Sequence, residues 1–381
     1  MGSAELADFI DGVATAARRR EAFGAPGDYV APAGPVEQRL AELWRAALDI
    51  DRIGVDDDFF ELGGDSLAGA QIFAAIEQEF GIRLPLSALV REPTLRHLAA
   101  LLARRAPAGE DGVLVPLRPG GGRPPLFCVH ELSGNVVVYR ALAARLSEDQ
   151  PVYGLQYPGQ HLAEPPRLGL ADMAARYCEA IRGVQPSGPY HLAGFSLGGA
   201  IAYEIALGLR AAGEEVALLA LLDTAAPGHG PRGLARFARH AGEFAHRAPW
   251  TWPSYVLRRW RNRRIRHRND KQLYRSQGGD GLGTRLERLA ADVLPQAWRA
   301  YAPGSYDGRV VLFRCAEDVA LWRGAPLMGW NYLVAGGVEA RDIPATHQYL
   351  MHEPAVALLA EHVEACLKTV REAAADEVGK T

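Results

Sequence analysis

Two units of different fold class are predicted from this sequence: a small all-α four-helix domain, then an α/β domain with a mostly parallel sheet and a helical lid. Three observations carry the prediction. Apolar residues recur at helical spacing between Val36 and Arg104, a polar linker follows, and beyond it short apolar runs alternate with amphipathic helices. A chain of 381 residues has room for both.

Residues 1–34 read as a polar, Ala-rich lead-in with one weak amphipathic helix over Ala4–Phe23, closing in the Gly/Pro-rich GAPGDYVAPAGP. The four-helix unit is placed at 35–105. Val36, Leu40, Leu43, Trp44 and Leu48 form one helical stripe, and a loop with Asp56, Asp57 and Asp58 follows. A second helix is predicted over Ser66–Phe80, a short one around Leu86–Val90, and a last one over Thr94–Arg104. Residues 106–112, APAGEDG, have linker composition.

The α/β domain is placed at 113–370, with 371–381 as a C-terminal tail. VLVPLR, PLFCVH, PVYGLQ, PYHLAG, VALLALLD and RVVLFR are runs of strand length. Helices are predicted between them over Tyr139–Leu146, Ala171–Val184 and Leu197–Ala212, the last stopped by Gly213. The rhythm breaks at about 228–300, an Arg- and Trp-rich helical insertion read as the lid.

Composition narrows the function classes. The net charge of −3 argues against a nucleic-acid protein, and no apolar run approaches the ~20 residues that span a membrane. The N-terminus has no apolar core of a signal peptide. Four scattered cysteines (Cys128, Cys178, Cys315, Cys366) lack metal-ligand spacing and read as buried thiols of a cytoplasmic protein, so no metal is expected.

Gly194-Phe195-Ser196-Leu197-Gly198 lies between an apolar strand and an Ala-rich helix, the setting of the nucleophile elbow of α/β-hydrolases. Side chains at 194 and 198 would collide with neighbouring backbone in so tight a turn. Ser196 therefore becomes the candidate nucleophile, presented at a helix N-terminus that favours a developing oxyanion. A serine hydroxyl needs a base, and the base an acid. His347, His352 and His362 follow the next two strands. His347, in a loop before a helix, is the expected base, with His352 as fallback and His362 read as an exposed helix residue. Asp223 ends VALLALLD and is the preferred acid; Asp318, after the following strand, is its competitor. The backbone N–H groups of Leu197 and Leu132 are the expected oxyanion donors, Leu132 lying in the loop His130-Glu131-Leu132-Ser133-Gly134-Asn135.

In the first domain, Phe59-Phe60-Glu61-Leu62-Gly63-Gly64-Asp65-Ser66-Leu67 sets a serine at a helix start after a tight turn. N-capping explains the serine alone but not the company it keeps. This string, with EFGIRLPLSAL and EPTLRHLA, resembles the phosphopantetheine-attachment region of peptidyl carrier proteins, and Ser66 matches the modified serine. Residues from about Val113 to Lys368 resemble the terminating thioesterase of nonribosomal peptide synthetases through PLFCVH, QPVYGLQ, GPYHLAGFSLGG and ALLALLD. In that family the acid usually follows the strand after the elbow helix, which supports Asp223. Two positions depart from the pattern: Glu131 stands where Pro or Gly is commoner, and Ala345 where Gly often precedes the histidine.

The resemblance implies a carrier–thioesterase didomain, a small all-α four-helix carrier domain followed by an α/β-hydrolase domain with a helical lid. Ser66 would carry covalent 4′-phosphopantetheine, added by a phosphopantetheinyl transferase, and upstream adenylation and condensation domains or a loading enzyme would supply an acyl or peptidyl thioester. Two other readings are an inert hydrolase fused to a shuttling carrier and a free serine esterase with a helical appendage. The run from Arg258 to Arg268, with seven arginines and no acid, reads as a solvated lid helix; a sharper reading has it meet Asp56–Asp58 or a phosphate.

Overall fold

The computed structural model describes residues 20, 29–104, 112–159, 165–229, 282–322 and 325–378, and the chain divides into two compact units at Glu110/Asp111. The helix expected over Ala4–Phe23 (Arg20 apart), residues 106–111, residues 230–281 of the expected lid and the Arg258–Arg268 run lie outside the described residues.

In the first unit the described helices are α1 (Gly34–Leu48), α2 (Ser66–Phe80), α3 (Ser87–Arg91) and α4 (Leu95–Ala103). Proline in its first turn opens α1, which buries Leu40, Trp44 and Leu48 on one face. Asp65 caps α2 and Gly81 ends it in the left-handed region, while Thr94 caps α4 by accepting from the His97 amide. Phe59 seals the centre, fully buried, its ring edge-on to Trp44 at 5.1 Å.

The acidic loop is engaged within its own unit. Asp57 is buried, binds Arg20 Nε at 2.8 Å and accepts from the Gly54 amide at 2.7 Å. Asp56 pairs with Arg96 at 2.6 Å, and Asp58 accepts from the Phe60 amide at 2.7 Å. These bonds build the turn before α2 within the first unit.

The second unit is an α/β-hydrolase-like domain. Its seven-stranded sheet runs β1 (Leu114–Arg118), β3 (Val152–Leu155), β2 (Leu126–Val129), β4 (Tyr190–Phe195), β5 (Val216–Leu222), β6 (Val310–Cys315), β7 (Val338–Ile343), in that spatial order. Only the β1–β3 pairing is antiparallel. Central β2 and β4 are buried at every position, as strands covered on both faces must be. The helices are α5 (Arg140–Arg145), α6 (Leu170–Val184), α7 (Leu197–Ala211) and α10 (Ala355–Val378). Between β5 and β6, the segment 282–300 is helical: α8 (Leu282–Arg288), a π turn (Leu289–Val293) and α9 (Leu294–Ala300).

Three sequence expectations shift. Tyr139 sits in a 3₁₀ turn before α5 rather than in the helix. α10 continues to Val378, past the point where a tail was expected, because its end is rich in helix formers. His362, expected to be exposed, is half-buried with its ring 6.5 Å from that of Phe313. All four cysteines are free and buried. Among the described residues no helix is long and apolar enough to cross a membrane.

Candidate active site and carrier serine

The elbow is built as its glycines require. Ser196 lies between β4 and α7 with φ 55° and ψ −122°, a conformation an L-residue holds only when its surroundings impose it. A Cβ at Gly194 would strike the Gly198 carbonyl, one at Gly198 the Val129 and His130 carbonyls, and one at Gly199 the Thr224 side chain. The sequence reading singled out 194 and 198. Gly199 is the third, and only the neighbouring strand end reveals it.

Asp223 follows β5, buried and also at positive φ (44°). Its Oδ2 meets His347 Nδ1 at 2.5 Å, and its Oδ1 accepts from the Cys315 amide at 3.1 Å. The carboxylate needs a donor at that distance, so Nδ1 carries the proton and Nε2 is the basic nitrogen. The His347 ring stacks on Phe195, centroids 4.7 Å apart, which seats it beside the residue preceding Ser196. Asp318, the competing acid, is buried and accepts from the His347 backbone N–H at 2.8 Å. It meets the loop and Asp223 meets the ring. The fallback base His352 is exposed, its ring 6.3 Å from that of Tyr349.

Sequence reasoning missed Tyr139. Its buried hydroxyl donates to the Val129 carbonyl at 2.6 Å and accepts from the Phe195 amide at 2.7 Å, tying the end of β2 to the end of β4 just ahead of Ser196. A tyrosine in a 3₁₀ turn beyond the loop that follows β2 carries no local signal of that role. Leu197 opens α7, where helix geometry leaves its N–H without an intrahelical acceptor. Leu132 lies in the loop after β2, its side chain 37% exposed. His130 in the same loop is wholly buried, and that burial pushes its pKa down to about 4. The neutral ring is held by the Glu131 carbonyl (2.7 Å) and the Tyr177 hydroxyl (2.8 Å), so it shapes the loop.

In the first unit, Ser66 is the first residue of α2 and half-buried. Capping falls to Asp65, whose carboxylate accepts from the Ala68 amide at 2.8 Å. Gly63 turns the chain at φ 83°, and a Cβ at Gly64 would strike the Phe59 ring and carbonyl. The turn therefore presents Ser66 at a helix start without using its hydroxyl as the cap. That arrangement fits a phosphodiester-linked group there.

Residues 124–367 match the thioesterase domain family, and residues 38–102 match the phosphopantetheine attachment site. The chain belongs to the thioesterase domain family. This thioesterase is an enzyme of the serine-hydrolase type, joined to a phosphopantetheine carrier domain. Its relatives include chondramide synthase of Chondromyces crocatus, 30% identical over 365 residues, covering 87% of this chain and 9% of that protein. The dimodular nonribosomal peptide synthase of Bacillus subtilis (strain 168) is 42% identical over 216 residues, 55% of this chain and again 9% of the relative. The thioesterase thus spans about a tenth of the length of either. A crystal structure of a four-domain nonribosomal peptide synthetase in its holo form, bound to AMP and glycine, superposes with a TM-score of 0.55 at 26% identity, covering 89% of this chain and 26% of that one.

Proposed function

We propose that this chain accepts an acyl or peptidyl group on phosphopantetheinylated Ser66 and releases it through an acyl-Ser196 intermediate, by hydrolysis or macrocyclisation, in nonribosomal peptide or hybrid polyketide biosynthesis. On this reading residues 35–105 are the carrier and 113–370 the releasing enzyme, its lid at about 228–300. A phosphopantetheinyl transferase and upstream adenylation and condensation domains are its partners. The observation that carries the reading is the bond between His347 Nδ1 and Asp223, with the imidazole stacked beside the strained Ser196.

When bound to Ser66, phosphopantetheine supplies a thiol on which a chain is presented as a thioester. His347 Nε2 takes the Ser196 proton as Oγ attacks the thioester carbonyl, and Asp223 stabilises the imidazolium that forms. The Leu197 and Leu132 amides receive the negative charge that develops on the carbonyl oxygen. When the intermediate collapses, His347 returns the proton to the departing thiol and Ser196 keeps the acyl group. Water, or an amine or hydroxyl of the chain itself, then attacks the ester with His347 again as base, giving an acid or a ring.

The test loads Ser66 with a phosphopantetheine-linked peptide and follows release by mass spectrometry, wild type beside Ser196→Ala. Release by wild type with accumulation of the loaded carrier in the variant is expected. Equal release by both would end the proposal.

A further inference from the structure

The loop after β2 is held by its own side chains. Glu131 Oε2 accepts from the Ser133 amide at 2.9 Å, and its other oxygen accepts from the Ser133 hydroxyl. Asn135, buried, donates to Ser133 Oγ at 2.6 Å and accepts from the Val137 amide at 3.1 Å. The Glu131 carbonyl takes the Gly134 amide at 3.0 Å and His130 Nδ1 at 2.7 Å, and the Gly134 carbonyl takes the Tyr157 amide at 2.8 Å. A carboxylate thus folds back over the next two residues of its own loop and begins a relay that runs to Val137.

A carboxylate is an expensive choice for that task. Burial pushes the Glu131 carboxyl up from its ordinary value, opposed by the Ser133 hydroxyl and amide and by the Leu132 amide. The carboxylate reaches from Glu131 to Ser133 and is bonded to both the amide and the hydroxyl of that residue. The Leu132 amide belongs to the residue in between, so its direction depends on how the Glu131–Ser133 clasp closes.

We propose that Glu131 is a positioning residue for release: clasping Ser133, its carboxylate sets the direction of the Leu132 N–H and so completes the oxyanion hole opposite Leu197. The clasp supplies, through hydrogen bonds, the loop shape that a ring or a bare glycine could otherwise supply through φ. This rests on the reading that Ser196 is the nucleophile.

The experiment uses the full chain, octanoyl-N-acetylcysteamine as a soluble thioester and phenylboronic acid as a tetrahedral adduct former. Glu131→Ala should lower kcat about a hundredfold, as loss of an oxyanion donor does, with KM within about twofold and boronate affinity falling in parallel with kcat. Glu131→Gln, which keeps an acceptor for the Ser133 amide, should recover most of both. A purely structural role would change thermal stability and leave kcat, KM and boronate binding together. Wild-type kcat and boronate affinity in Glu131→Ala would overturn the assignment. So would a faster Glu131→Ala, which would show the carboxylate competing for the Leu132 amide. Should Glu131→Ala not fold, Ser133→Ala removes one arm of the clasp and must show the same split in weaker form. A wild type that neither cleaves the thioester nor binds the boronate would sink the release reading itself, and this assignment with it. An active wild type with an indifferent Glu131→Ala would sink the Glu131 assignment alone.

Discussion

Ser66 and Ser196 each stand at the start of a 15-residue helix, yet the two helix starts are built in opposite ways. At Ser66 the preceding Asp65 is extended (φ −128°, ψ 177°) and caps the helix with its side chain. At Ser196 the serine itself occupies the cap position, at positive φ and with no side-chain cap bond. On the proposed function, the difference follows from what each hydroxyl must do. An attachment point needs only reach, because another enzyme performs the chemistry, so its helix starts in the most relaxed way available. A nucleophile must be fixed against a base and an oxyanion hole. The protein holds it in a conformation costing on the order of 1–3 kcal/mol, which the surrounding sheet and glycines offset.

The largest break in that comparison is at the strained serine. Ser196→Ala should lower turnover of a soluble thioester by about a million-fold, measured as thiol release, whereas Ser66→Ala should leave that reaction at the wild-type rate and abolish the mass gained with coenzyme A and a phosphopantetheinyl transferase. Asp223→Asn keeps the shape but not the charge that holds the His347 tautomer, and about ten-thousand-fold loss in kcat is expected.

The acid response sharpens the contrast between units. In the hydrolase unit, burial lowers His130 and His191 from 6.5 to about 4. Unfolded chains therefore bind more protons between those values, and stability present above pH 6.5 is lost as pH falls towards 4. The loss is up to roughly 3 kcal/mol per histidine. Urea denaturation of the hydrolase unit across that window should show the slope, and His191→Phe should remove about half of it. The smallest effect belongs to the relaxed helix start: Asp65→Ala should cost the carrier unit about 1 kcal/mol, read as a shift in its denaturation midpoint, with thioester cleavage at Ser196 unchanged.

Where a structure is made by local chemistry, it was legible in order. The α2 helix runs Ser66–Phe80 as its cap and apolar spacing imply, and the elbow glycines announced the turn at Ser196. β7, Val338–Ile343, was not among the predicted strands, because an edge strand half open to water shows only scattered apolar positions. Between Asp223 and Asp318 local reading gave a preference for Asp223 but no partner for either, since both follow strands at the same end of the sheet. Three-dimensional packing gives them different partners on one residue, the His347 ring and the His347 amide. Tyr139 left no motif, because it acts through bonds that depend on where its turn is folded, and Glu131 showed only as a departure from the family pattern.

The sequence by itself determined two units, their fold classes, and the two serines with the turns that present them. Periodicity, capping and glycine placement are properties of neighbouring residues, and these features need nothing more. The tertiary structure supplied the partners: the His347 ring for Asp223, the His347 amide for Asp318, and the two strands that Tyr139 ties together. Those pairings are hydrogen bonds between residues as far apart as Asp223 and His347, and only the assembled sheet brings such groups within bonding distance.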